Sequence, residues 1–380
     1  MNRKSPETNA APELFIGLMS GTSLDGIDAG LVEFSGGQAR LIDFYYQAYS
    51  EELREQIQAI SQADQAVLLK DYGFLDCRLG CLFAEATQAL LAKAAMPADR
   101  ILAIGSHGQT VYHAPDSQFG FSLQIGDPNR IAELTGITTI SDFRRRDIAV
   151  GGQGAPLAPA FHQAVFADRQ QPRAVVNIGG IANITLLDGE QAAGFDTGPG
   201  NTLLDFWRRR HSGQAYDHNG DWAAGGEVDT GLLNILKDDD YLRLPPPKST
   251  GKEYFSAFWL EQKLASFRNL TPVDVQTTLT KFSADCITDA IKQYAARTEL
   301  TLVCGGGAHN RTLLKFMTDN LPCPLASTEI FGIHPDHIEA MAFAWLARQT
   351  LNALPGNITG VTGARKPVVL GGVYLGNAHR

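Results

Sequence analysis

The feature that most restricts the fold of this 380-residue chain is a strand–turn–strand unit at its start, with no helix between the strands. Residues 14–19 read as a buried strand and residues 27–34 as its return. Ser20, Gly21, Thr22, Ser23, Leu24, Asp25 and Gly26 between them form a turn of small and hydroxylated residues. This is a hairpin and not the strand–loop–helix of a dinucleotide-binding unit. The pattern recurs near the middle of the chain. Residues 174–178 read as a strand, Gly179-Gly180-Ile181-Ala182-Asn183 as a turn and residues 184–187 as the return. Two such hairpins, each heading an α/β half, predict a duplicated architecture with a cleft between the halves.

The remaining elements fit that plan. A third strand is expected over residues 39–46, two helices over 51–95, and a strand at 101–104 running into Gly105-Ser106-His107-Gly108-Gln109-Thr110. In the second half, helices are expected over 222–236, 254–267 and 273–297. A buried strand at 300–304 then ends in Gly305-Gly306-Gly307, with helices from about Asn310 and over 337–351 and a loose Gly/Pro-rich tail. Hydrophobic residues are 44% and charged residues 19%, which is globular composition. The net charge of −9 argues against a sequence-independent grip on nucleic acid, which needs a cationic surface. A polar N-terminus without a signal-peptide core, no apolar run of about 20 residues and five scattered cysteines point to a cytoplasmic protein with reduced thiols and no membrane contact.

Several segments can carry chemistry. In the turn from Ser20 to Gly26, backbone N–H groups with the Thr22 and Ser23 hydroxyls can donate to phosphate oxygens. Asp25 and Asp28 can steer Mg²⁺ through bound water. A plain hairpin turn, for which Asp25-Gly26 is a good signal, explains the same residues. Gly179-Gly180 is a weaker copy. Gly305, Gly306 and Gly307 allow a flat ligand such as adenosine to lie against backbone, or simply join two packed elements. Asp196, read as lying in a glycine-punctuated turn before a helix, is either a general base or a turn former. Arg144, Arg145 and Arg146 suit carboxylate or phosphate recognition, or a surface ion-pair network.

Other patterns fail on inspection. Lys248-Ser249-Thr250-Gly251-Lys252 looks like a P-loop fragment, but no glycine precedes it at the required spacing and Glu253 stands where Ser or Thr is needed. His334, His337 and Glu339 are close in sequence, yet Pro335 breaks the spacing, and a helix start explains them. Ser106-His107 lacks a nucleophile elbow, so a hydrolase is disfavoured.

Taken in order, these segments resemble the anhydro-N-acetylmuramic acid kinases of bacteria. The resemblance rests on Gly17-Leu18-Met19-Ser20-Gly21-Thr22-Ser23-Leu24-Asp25-Gly26 and on Gly105-Ser106-His107-Gly108-Gln109-Thr110. It continues through Asp142-Phe143-Arg144-Arg145-Arg146-Asp147, Gly151-Gly152-Gln153-Gly154-Ala155-Pro156-Leu157, Asn177-Ile178-Gly179-Gly180 and Phe195-Asp196-Thr197-Gly198-Pro199-Gly200-Asn201. It closes on Cys304-Gly305-Gly306-Gly307 and Glu339-Ala340-Met341-Ala342-Phe343-Ala344-Trp345.

The resemblance implies an α/β, two-domain actin-like ATPase (ribonuclease H-like) fold with mixed sheets and a central ATP cleft. One lobe would take residues 12–144 with about 340–380, the other residues 145–339. ATP and Mg²⁺ would be the cofactors, 1,6-anhydro-N-acetylmuramic acid the substrate, and a homodimer the default assembly. Asp196 matches the family's catalytic base. Ser20 to Ile27 would hold the phosphates, with Asp25 the candidate for Mg²⁺ through water. Gly179 would lie on the phosphate side, Gly305 to Gly307 beside adenosine, and Glu339, Arg144, Arg146 and His107 towards the sugar.

Overall fold

The computed structural model describes residues 11–21, 23–61, 66–267 and 269–377. The chain forms two compact units, one running to Phe161 and resuming at His337, the other His162–Asp336.

The first unit is built on β1 (Glu13–Ser20), β2 (Gly26–Ser35), β3 (Gln38–Ala48), β4 (Ala103–Ala114), β5 (Phe121–Ile125) and β6 (Thr139–Ser141). β1 is buried from Leu14 to Ser20, as a central strand covered on both faces must be. It pairs antiparallel with β2 and parallel with β4, while β3 closes one side against β2. Alternation along β1 sends Ile16 and Leu18 to one face and Gly17 to the other. Ile16 and Leu18 join Leu75, Leu79, Phe83 and Leu90 of the Leu69–Lys93 helix in one apolar core. The Gly105–Thr110 segment lies wholly within β4 and is buried through Gln109, so the strand expected to end at residue 104 runs on through it.

The second unit carries β7 (Arg173–Ile178), β8 (Ile181–Asp188), β9 (Gln191–Pro199), β10 (Leu300–Cys304) and β11 (Leu325–Ser327). Its strand order is β11-β10-β7-β8-β9, and the core of the first sheet is β6-β4-β1-β2-β3. In both, an antiparallel three-stranded meander is extended by two parallel strands from its first member. The duplication expected from the two hairpins is therefore a duplication of sheet topology. Ala174, Val176 and Ile178 pack with Ala284, Ile287 and Ile291 of the Pro272–Tyr294 helix. The helix expected over 222–236 is broken. A single 3₁₀ turn, Ala223–Gly225, precedes a helix Thr230–Lys237 capped by Asp229. At Gly226 a side chain would meet Thr277 Oγ1 at 2.5 Å and Val273 O at 2.7 Å, so only glycine fits where the chain crosses the long helix.

The chain then returns to the first unit through the Ile338–Leu351 helix, a short helix Thr359–Thr362 and β12 (Gly372–Tyr374), which pairs with β6. The Ile338–Leu351 helix lies on the Gly17 face of the sheet. A Cβ on Gly17 would stand 1.7 Å from Ala340 O, and one on Gly105 would stand 2.0 Å from Phe343 O. The tail expected to be loose is stitched in. The buried Asp147 carboxylate accepts from Asn357 Nδ2 (2.6 Å) and Thr362 Oγ1 (2.8 Å), and Thr350 Oγ1 donates to Leu370 O. Among the described residues no helix is long and apolar enough to cross a membrane.

This packing predicts opposite outcomes for two glycines. Gly105→Ala should cost about 1–3 kcal/mol or more by overpacking, read as a lower urea midpoint. Gly73→Ala, in the Leu69–Lys93 helix with open space around it, should raise stability by about 0.5–1 kcal/mol.

Candidate active site

In the first unit, the turn between β1 and β2 is held by its neighbours. Ser20 Oγ is buried and accepts from Tyr49 Oη (2.9 Å). Its own proton is shared between Gln109 Oε1 (2.7 Å) and Gly26 O (2.9 Å). Burial pushes the Tyr49 phenol well above its usual range, so it stays a donor. The Leu24 N–H donates to Gly21 O at 3.3 Å, and Leu24 takes a left-handed φ of +57°. Asp25 O accepts from Tyr49 N (2.9 Å) and Tyr46 Oη (2.8 Å), which fixes the far side of the turn. The Asp25 carboxylate is exposed, with Oδ1 receiving the Ser23 hydroxyl at 2.7 Å. Gly21 and Ser23 are accessible, whereas Gly26 and Ile27 are buried, so the latter two can offer only backbone. Thr22 lies outside the described residues.

The three arginines separate. Arg144 turns inward, donating from Nε (3.1 Å) and Nη2 (2.8 Å) to His107 Nε2 and from Nη1 to Gly154 O (2.7 Å). Arg145 pairs with Asp142, and Arg146 is exposed on the short Arg145–Ala149 helix. Two donors on His107 Nε2 require that nitrogen to be unprotonated. Burial, reinforced by the Arg144 charge, holds the imidazole down at about 3. Glu339, in the first turn of the Ile338–Leu351 helix, faces Arg144 electrostatically. Burial raises the Glu339 carboxyl against the pull of Arg144, and lowers Arg144 to about 10 against the pull of Glu339 and Asp147. The structure thus brings His107, Arg144 and Glu339 together and leaves Arg146 apart.

In the second unit, Asp196 sits in β9, not in a turn before a helix. The glycine-punctuated turn expected over residues 194–201 is strand as far as Pro199, because β9 pairs with β8 through that residue. The register shifts by one residue at Thr197, because Ala182 faces Gly198 while Asn183 faces Asp196. Such a bulge re-aims the side chain beside it. Asp196 Oδ2 accepts from Ser249 Oγ and Thr250 N, both at 3.0 Å, and Tyr241 Oη donates to Asp196 O at 2.7 Å. Among the described residues Oδ1 has no hydrogen-bond donor. Burial raises this carboxyl above the usual aspartate range, opposed by the Thr250 and Ser249 donors.

The Gly179-Gly180 turn is tied down by Gly200, Asn201 and Thr202, whose N–H groups donate to Gly180 O, Gly179 O and Gly180 O. Gly305, at φ +78°, ends β10 where a Cβ would stand 2.3 Å from Asn177 Oδ1. Gly306 has open space in front of it, while Gly307 is packed on Ile178. Asn310 then caps the Arg311–Asn320 helix by accepting from Leu313 N. Among the described residues no three or more His, Cys, Asp or Glu side chains gather as a metal site. His337 stacks on Phe44 at 3.9 Å instead, and His334 lies beside Asp336 and Glu329. Sequence reasoning missed Tyr49 and Gln109 around Ser20, and Tyr241, Ser249 and Thr250 around Asp196. The hydroxyls of the rejected P-loop fragment were the available signal.

A sequence model of the anhydro-N-acetylmuramic acid kinase family matches residues 13–376. The chain belongs to this family. It is 48% identical over 365 residues to the anhydro-N-acetylmuramic acid kinase of Pasteurella multocida, covering 95% of this chain and 96% of that one. It is 50% identical over 368 residues to that of Shewanella denitrificans, covering 96% and 98%. Among solved structures, it is similar to a ROK family glucokinase from Streptomyces griseus in complex with glucose and AMPPNP. That likeness has a TM-score of 0.41 and 13% identity, over 88% of this chain and 99% of that one. The quoted motifs of the kinase family all fall inside the matched span.

Each unit of this family member contains a buried neutral histidine. His107 and His162 are both held at about 3, chiefly by burial. The native state needs them unprotonated, whereas the unfolded chain takes up protons below about pH 6.5. Stability should therefore fall as pH drops from about 6.5 towards 3, by roughly 2 kcal/mol per histidine at pH 5. Urea unfolding at pH 7.5 and pH 5 checks this, and His162→Gln should remove part of the difference.

Proposed function

We infer that this chain converts 1,6-anhydro-N-acetylmuramic acid, ATP and water to N-acetylmuramic acid 6-phosphate and ADP, a step of peptidoglycan recycling. The family match from residue 13 to residue 376 carries this reading.

The residue roles that follow are proposals supported by the geometry of each unit. Asp196 acts as general base. Its support is a carboxyl raised by burial, with one oxygen held by two donors and the other, among the described residues, without one. A carboxylate moved up in this way is a stronger base than free aspartate. It takes a proton from water, whose oxygen bonds to the anomeric carbon. The bond from that carbon to the bridging oxygen breaks, and its electron pair stays on O6. O6 then attacks the γ-phosphorus, and ADP leaves. Accessible Gly21 and Ser23, together with the backbone of the turn through Ile27, offer donors to the phosphates. Gly179 lies on the phosphate side in the other unit. The open face at Gly306, between Gly305 and Gly307, suits the adenosine.

Asp25, exposed and only half engaged by Ser23, fits an ion that keeps much of its water and is held mainly by phosphate oxygens. Bound there, Mg²⁺ would neutralise charge on the β and γ phosphates. Among the described residues Arg144 has a further N–H on each terminal nitrogen beyond its bonds to His107 and Gly154, enough to meet the lactyl carboxylate, with Glu339 beside it. Arg146, exposed and separate, is the weaker sugar ligand. On this reading the fold is the ribonuclease H-like one of actin-like ATPases, supported by the repeated strand order. ATP would be the phosphoryl donor, in a cytoplasmic homodimer.

ADP release should be rapid with the anhydro sugar and at background with N-acetylglucosamine or glucose. Equal rates on all three would contradict the assignment. Asp196→Asn should lower turnover by about 10²–10⁴ with ATP binding retained.

A further inference from the structure

The segment Lys248-Ser249-Thr250-Gly251-Lys252 has no phosphate-loop geometry, yet it is tied closely to β9 and its surroundings. Pro245-Pro246-Pro247 leads into it with restricted φ angles, so the approach is stiff. Lys248 O accepts from Asp196 N at 3.1 Å. Lys248 Nζ donates to Tyr241 O (3.2 Å) and Leu242 O (3.3 Å), and lies 4.7 Å from the Tyr241 ring centroid. At the other end the Lys252 stem crosses Gly180, where a Cβ would stand 2.5 Å from Cε. The segment is thereby anchored at both ends, with Ser249 and Thr250 held against the Asp196 carboxylate.

Asp196 itself is gripped at backbone N, backbone O and one carboxylate oxygen. Both donors to the carboxylate, one a hydroxyl and one a backbone N–H, converge on Oδ2. A carboxylate beside a strand bulge would otherwise rotate freely about its Cβ–Cγ bond and present either oxygen. We propose that Lys248–Lys252 is a positioning strap for Asp196, in which the Ser249 hydroxyl and the Thr250 N–H occupy Oδ2 and reserve Oδ1 for the proton of the attacking water. This rests on the reading of Asp196 as the base. Ser249 and Thr250 are positioning residues, since they act through Asp196.

The strap also sets how strong a base Asp196 is. Each donor stabilises the charged carboxylate and so opposes the effect of burial. The titratable and charged groups near it are the Tyr241 phenol, the Lys248 ammonium, the Cys286 thiol of the long helix, which lies against Gly198, and, at the far end of the strap, the Lys252 ammonium over Gly180 and the Glu253 carboxylate folded over Gly251. Burial keeps Tyr241 and Cys286 protonated.

The test is the pH profile of kcat/KM for the anhydro sugar, measured on wild type, Ser249→Ala, Ser249→Thr and Asp196→Asn. Loss of the Ser249 hydroxyl removes a donor from the charged form, so the acid limb of S249A should move up by about one pH unit. Below that limb kcat/KM should fall about tenfold, with KM for ATP unchanged. S249T keeps a hydroxyl and should restore the wild-type limb. A limb that stays in place in S249A, or a loss uniform across pH, overturns the strap provided D196N is inactive. A D196N variant with wild-type turnover overturns instead the reading on which the strap rests.

Discussion

The first unit depends on the close approach of one helix to two strands. Helix Ile338–Leu351 can lie on the sheet only because Gly17 in β1 and Gly105 in β4 present no side chain to it. Glycine weakens a strand interior, so its presence at two central positions marks a backbone that must come near. The consequence for chemistry is direct. The first turn of that helix carries Glu339, and its depth on the sheet decides whether Glu339 feels the Arg144 charge. β1 and β4 also run parallel, which sets Ser20 at the end of β1 in register with Gln109 within β4, and the two side chains meet under the turn. The turn's position and the Arg144–Glu339 pair thus both follow from the sheet beneath that helix.

The second unit uses the same strand order for a different purpose. Its hairpin turn is tied by Gly200, Asn201 and Thr202, and its third strand carries the acid. The bulge at Thr197 and the strap at Ser249 and Thr250 act on one carboxylate from two sides. Burial makes Asp196 a stronger base while two donors keep it from becoming a plain acid. The His107 imidazole follows the opposite logic, because there burial enforces the neutral form that Arg144 needs as an acceptor.

Both hairpins, the strands that head them and the long helices at 69–93, 272–294 and 338–351 were legible in the sequence because each depends on local periodicity and turn chemistry. The run of β4 on through Gly105–Thr110 was not, since glycines and polar residues give no strand signal unless a helix is known to cover them. Asp196 was found as an acid among glycines, but its strand was missed because pairing with β8 is non-local. Ser249 and Thr250 lie more than fifty positions away in sequence from the carboxylate they hold. No spacing rule links them. Arg144 and Arg146 are indistinguishable by residue type, and only burial separates them.

In the proposed reaction water bonds to the anomeric carbon while the former bridging oxygen becomes the phosphate ester. Turnover in ¹⁸O-labelled water, quenched before the product hemiacetal exchanges, locates that oxygen by mass spectrometry. Label should appear on the anomeric carbon, with none in the phosphoryl group or at O6. Label in the phosphate, or an unlabelled anomeric hydroxyl, would contradict that reaction.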